Sequence, residues 1–493
     1  MRNSLTSPTN YKMDMRLFTF FLIGIFFLSA ATALAQSGHH IKVTLKPYAN
    51  TQVYLGYYYG KIKAVADSAM LDASSSGAFI GKEKLPGGIY FVVSPKKEIL
   101  FEVLLDKEQN FSIRGDTNNL AANLSFTGSP DNELFFTYTR SMASYGKQIT
   151  AFQSELSSAK TKTDSARILQ KVKALNQQVQ DYRSDVAAKN PNSLLTTLFS
   201  AMKEPAVPPA AKQPGGKYDT VFSFQYYKSH YWDGVTFTDE RLVRTPFFEP
   251  KLDKYFKDLV APIADSINKE VDWMLLYSRT SKEMFQYLVV HFVQKYINPE
   301  YMGQDAVFVH IFEKFINTGE AEFFTAKYRK IINDRAYSLM ANLIGQPAAN
   351  LEMVDTSGKP ESLYSVDAKF IVICFWDPTC SHCKEEVPKL DSIYEAKWKQ
   401  EGVKMYGVLV DGGQDKWRQF IQEHNLKDWL HVYQTKAQSD ADIAASRPAY
   451  KQLFDVYQTP TLFLLDKDKR IIAKKLTYQQ FDEVITLKLK NAK

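Results

Sequence analysis

Cysteine is scarce: there are three in 493 residues, all between Cys374 and Cys383. That excludes a disulfide-stapled scaffold, whose cysteines are dense and dispersed. A structural zinc needs four ligands. No second C-x-x-C and no nearby H-x₃-H accompanies the cysteines, so neither metal nor cofactor is expected. Lysine and arginine form no dense block. The net charge of +7 therefore reads as a solubility property, with no nucleic-acid partner expected. His230, His291 and His310 form no H-x-E or H-x-x-x-H pair and are assigned to packing or surface. After residue 35, no second apolar run is long enough to span a bilayer.

The one long apolar run is LFTFFLIGIFFLSAATALA, Leu17–Ala35, preceded by Lys12 and Arg16. Ala33 and Ala35 before Gln36 give an A-x-A cleavage pattern, so residues 1–35 are expected to be a cleaved signal peptide. The mature protein is then exported, periplasmic and soluble. In that setting a cysteine pair three residues apart closes too short a loop to stabilise much, which points to chemistry rather than stapling.

The remainder divides by pattern into a multidomain chain. Residues 36–128 carry short β-type runs such as IKVTL, VYLGYYYG and ILFEVLL, separated by SSSGAF, LPGG and SPKK read as turns. They predict a small antiparallel β-sandwich-like domain. Residues 129–345 are mainly helical. Leu134, Tyr138, Met142 and Tyr145, then Ile168, Val172 and Leu175, recur at three and four, which predicts a helical hairpin. Glu204–Lys217, rich in proline and glycine, is expected to be a mobile loop. Residues 346–493 read as α/β, with KFIVICFW and VKMYGVLVD as buried strands.

DPTCSHCKEEVP follows the first of these strands. If Cys380 starts a helix, Cys383 lies one turn on and the two sulfurs share a face. Unpaired N–H groups at a helix start stabilise a thiolate, so Cys380 is the expected nucleophile. His382 is expected to add positive charge beside it. Cys383, deeper in the helix, is the expected resolving thiol.

At this point residues 346–493 resemble the thioredoxin superfamily, in particular exported thiol–disulfide oxidoreductases of the TlpA/ResA type. Trp376 stands four residues before Cys380, where the family carries its active-site tryptophan, and Pro388 stands eight after it, at the family's helix kink. Thr459-Pro460 opens TPTLFLLD where the family has a cis-proline that leaves the preceding backbone free to pair with a bound peptide. The resemblance implies substrate contact at Thr459 and Pro460, and tuning of the dithiol by Trp376, Ser381 and His382. Two departures stand out. The dipeptide between the cysteines is Ser381-His382, and Cys374 replaces a buried aspartate six residues before the first cysteine. Glu385 or Glu386 is the candidate replacement for that proton acceptor, the alternative being helix-start charges only. Cys374 reads as a small buried hydrophobe.

The expected function is thiol–disulfide exchange with protein disulfides, leaning to reduction, with a membrane protein as electron donor or acceptor. The alternative is a partner- or surface-binding scaffold in which residues 41–345 do the work and the dithiol domain is accessory.

Overall fold

The computed structural model describes residues 38–491. The expected signal peptide therefore lies outside the described residues. Two compact units emerge: one holds the described residues through Thr236 with Glu240–Pro250, the other Phe237–Asp239 with the residues from Lys251 onward.

The first unit opens with eight strands: β1 His39–Lys46, β2 Thr51–Tyr59, β3 Ile62–Leu71, β4 Ser76–Gly81, β5 Gly88–Val93, β6 Ile99–Leu105, β7 Asn110–Asp116 and β8 Ser125–Thr127. They form two four-stranded sheets, ordered β4-β1-β7-β8 and β3-β2-β5-β6. Alternation along β1 turns Ile41, Val43 and Leu45 inward, where they meet Val53, Leu55, Tyr90 and Val92 of the other sheet. The sandwich departs from the sequence reading in two ways. SSSGAF is not merely a turn, since Ser76 begins β4. The pairing of β1 with β7 is parallel, because the chain crosses to the other sheet between them.

Helices Pro130–Ser158 and Lys162–Lys189 form the expected hairpin. Asn132, 1% exposed, bonds both the N–H and the C=O of Leu104, closing the edge of β6 onto the first helix. The expected mobile loop at 204–217 is instead held. The Gln213 amide is buried, donates to the Pro208 carbonyl and to Ser223, and accepts from the Asp219 N–H.

In the second unit, helices Ala264–Ser278, Lys282–Tyr296, Asp305–Ile311 and Ala326–Met340 lead into a seven-stranded sheet. Its strands are β9 Glu352–Asp355, β10 Pro360–Ser362, β11 Phe370–Trp376, β12 Val403–Leu409, β13 Leu430–Tyr433, β14 Thr461–Asp466 and β15 Ile471–Lys474, in the order β10-β9-β13-β12-β11-β14-β15. Strands β11, β12 and β13 run parallel, and β14 is antiparallel to β11. Every residue of β11 is buried, as its unbroken apolar run predicts. Val372, Cys374 and Trp376 face one core with the helix Ser381–Ile393, while Ile371, Ile373 and Phe375 face the other. Among the described residues no helix is long and apolar enough to cross a membrane.

In β13, paired with Gly407 of β12, His431 is 5% exposed and its Nε2 lies 2.8 Å from the Leu426 carbonyl. Burial pulls its imidazole from the ordinary 6.5 down to about 4. Between these values the unfolded chain binds a proton that the folded one does not, so stability falls as pH drops through this window. The shift corresponds to about 3 kcal/mol. Urea unfolding at pH 7 and pH 4 is expected to show this loss, and His431→Gln should flatten its share of the slope. An unchanged slope in that variant would assign the acid sensitivity elsewhere.

Candidate active site

The site is built where β11 ends. Asp377 begins a tight turn in which its Oδ1 accepts from both the N–H and the hydroxyl of Thr379, each at 2.7 Å. Gly412 closes over this turn. A Cβ there would lie 2.3 Å from Asp377 Oδ1, and its φ of +93° is one that glycine adopts readily. The turn delivers Cys380 to the N-cap of the helix Ser381–Ile393, with its own N–H bonded to the Asp377 carbonyl at 3.2 Å.

Across from it the chain makes the cis peptide Thr459-Pro460. The Cys380 thiol lies 3.4 Å from the Thr459 carbonyl oxygen and is partly exposed. Cys383 and Cys374 are both fully buried, and all three cysteines are unbridged thiols.

These surroundings split the two thiols. The Cys383 N–H, with smaller help from Thr459, the Cys383 thiol and the His382 N–H, holds Cys380 below the ordinary cysteine value against the effect of burial. Burial pushes Cys383 up to about 11, although the Asp377 N–H donates to its sulfur at 3.5 Å. Burial, and then the charge of Cys383, raise Cys374 well above the ordinary range. In an alkylation series with iodoacetamide, Cys380 is therefore expected to react with an inflection below that of free cysteine. Cys383 should stay largely unmodified until the pH nears 11. Equal reactivity of the two, read by mass spectrometry, would contradict the asymmetry.

The expected site residues separate. Cys380, Cys383, Thr459 and Pro460 come together. Ser381 and His382 are exposed, and the lowering at Cys380 comes first from the Cys383 N–H, with the main-chain N–H of His382 the smallest contributor. Trp376, the last residue of β11, is fully buried, its ring 5.2 Å from Phe420 and 6.3 Å from His431. Glu385 turns outward to Lys389 at 2.7 Å, which holds its carboxyl below the usual carboxylate range. Glu386 also reaches Lys389, at 3.0 Å, but is half-buried and lines a cavity of about 260 Å³ with Cys374, Val387 and Pro460. Sequence reasoning missed Asp377 and Gly412, although D-P-T is an Asx-turn signal. It also missed Lys475 and Tyr478 of the cavity wall, for which no local signal exists.

Residues 344–474 match the model of the AhpC/TSA family. Residues 161–337 and 39–135 match two domains of unknown function, DUF5106 and DUF4369. A curated relative, thiol-disulfide oxidoreductase ResA of Bacillus cereus, is 26% identical over 131 residues, 27% of this chain and 68% of the relative. The chain spans under half the length of two other curated relatives of that name. Among solved structures, a domain of a possible thiol-disulfide isomerase from Cytophaga hutchinsonii is 34% identical, with a TM-score of 0.27, covering 30% of this chain and 95% of that one. A thioredoxin-like protein from Bacteroides caccae is 21% identical, with a TM-score of 0.44, covering 58% and 98%.

Proposed function

Residues 344–474 are a thioredoxin-like domain of the AhpC/TSA family with thiol–disulfide oxidoreductases as relatives, and from this premise we propose that the protein exchanges electrons with protein disulfides through Cys380 and Cys383. The observation that carries the proposal is the split between a thiol made acidic at a helix N-cap and a buried thiol raised to about 11, one turn apart.

The Cys380 thiolate attacks one sulfur of the substrate disulfide. That S–S bond breaks, a mixed disulfide forms on Cys380, and the other substrate sulfur leaves as a thiolate that takes a proton from water. Cys383 then loses its proton and attacks the Cys380 sulfur, and the second substrate thiol departs. Two electrons have passed to the substrate, and Cys380–Cys383 is the oxidised product. Glu386 is the proposed proton acceptor for Cys383, since of the two glutamates it is the one that lines the cavity beside Cys374.

The reducing direction is the one we assign, with a membrane protein returning two electrons and two protons to the dithiol. The protein works in the periplasm after removal of residues 1–35, with 36–128, 129–345 and 346–493 as its modules. The assay is reduction of insulin by the full chain with dithiothreitol as donor, together with equilibration in glutathione buffers. A rate no faster than dithiothreitol alone would overturn the exchange reading. A potential at the oxidising end of the superfamily would overturn the direction.

A further inference from the structure

Two exposed residues, Tyr457 and Gln458, immediately precede the Thr459-Pro460 turn, Tyr457 at 74% exposure. Among the described residues, the N–H groups of Tyr457, Gln458 and Thr459 donate to no main-chain acceptor, so a polypeptide edge stands open beside the dithiol. This segment is anchored from below. The Asp455 carboxylate is fully buried and binds both Arg335 and Lys475. Arg335 comes from the helix Ala326–Met340, lies 5.8 Å from the Tyr457 ring and donates to the Ile297 carbonyl at 3.2 Å. One arginine thus ties the segment before Pro460 to the turn that follows Ile297.

Three cavities between them share walls. The cavity of about 260 Å³ beside Cys374 shares Gln458, Thr461 and Lys475 with a second of about 250 Å³ that includes Asn298, Arg335 and Tyr457. That one shares Asn298, Arg335 and Lys475 with a third of about 280 Å³, walled by Tyr301 and Met302, which are 57% and 41% exposed. Each space alone is below the usual size of a small-molecule pocket, and the shared residues set them side by side. Open main-chain donors fit an extended chain, and exposed tyrosines with a methionine fit apolar side chains of varied shape.

Resting on the exchange reading above, we propose that Asn298, Tyr301, Met302 and Arg335 of the helical region extend the redox site into a docking groove. Its occupant is an extended segment of a substrate protein next to its disulfide, with an apolar or aromatic side chain seated between Tyr457 and Met302. The helical region then selects substrates for the dithiol.

The test compares kcat/KM of the full chain for insulin, a polypeptide disulfide, with that for Ellman's reagent, a small one. Tyr457→Ala and the double variant Tyr301→Ala/Met302→Ala remove exposed side chains. Each is expected to lower the insulin-to-Ellman's ratio about tenfold through KM, and Tyr457→Phe should keep it. An unchanged ratio in both alanine variants would overturn the groove while leaving the exchange reading standing. A wild-type chain that reacts with neither disulfide would overturn both.

Discussion

Cys380→Ser is expected to abolish disulfide exchange, with insulin reduction falling at least about a thousandfold, the scale for loss of an activated nucleophile. A serine hydroxyl at the N-cap receives the same N–H groups, but its oxygen stays protonated at neutral pH and forms no disulfide. Cys383→Ser should behave differently. Its Cys380 still attacks, but nothing attacks the mixed disulfide from within, so the adduct accumulates and is read by mass spectrometry as Cys380 joined to the substrate. The order of events depends on position: Cys380 is partly exposed and Cys383 fully buried. Adducts on Cys383 in a Cys380→Ser chain would reverse the assignment. A Cys380→Ser chain that keeps a tenth of the rate would place the nucleophile elsewhere.

Asp305→Ala is expected to destabilise the second unit by about 3–5 kcal/mol, the cost of leaving a buried charge without its partner. Asp305 begins the helix Asp305–Ile311, and Lys474 ends β15 of the sheet; they are 4% and 5% exposed. The Lys474 ammonium donates to the Asp305 carboxylate, to the Asn342 carbonyl at 2.7 Å and to Asn342 Oδ1 at 2.6 Å. Burial already pulls this ammonium below the ordinary lysine value, and Asp305 opposes that pull. Without Asp305 the lysine sheds its proton more readily. The deficit should therefore shrink as pH rises toward 10, where the unfolded chain still holds the proton. Asp305→Leu with Lys474→Met should recover most of the loss. Tryptophan fluorescence during urea unfolding reports on the right unit, since five of the six tryptophans lie in it and Trp232 does not. A loss under about 1 kcal/mol would mean that water reaches the pair.

Much of the dithiol domain is legible residue by residue. An unbroken apolar run marks β11 because a strand covered on both faces has no solvent side to supply polar residues. With a helix starting at Cys380, Cys383 one turn on follows from helix geometry. The hairpin at 130–189 follows from spacing in the same way. The sandwich was less legible. β3 reads IKAVADSAML, mostly exposed or half-exposed, so no burial pattern announces it. Which of Glu385 and Glu386 lines a cavity was not legible at all, because both sit in the same helical turn and only the packing of Pro460 and Val387 separates them.

The sequence by itself therefore determined the placing of the cysteine pair and the strand–turn–helix that presents it, because those depend on neighbours within a few residues. Only the tertiary structure decided what surrounds the pair. Thr459 is 79 residues from Cys380, Arg335 120 residues from Asp455, and Asp305 169 residues from Lys474. Such contacts arise when separate elements bury a shared core, and a charge is then either paired across that distance or costs stability. No local pattern records which helix supplies the partner. That is why residues 129–345 read as one separate helical module in the sequence, while in the structure the helices Asp305–Ile311 and Ala326–Met340 are bound to the dithiol domain through Lys474 and Asp455.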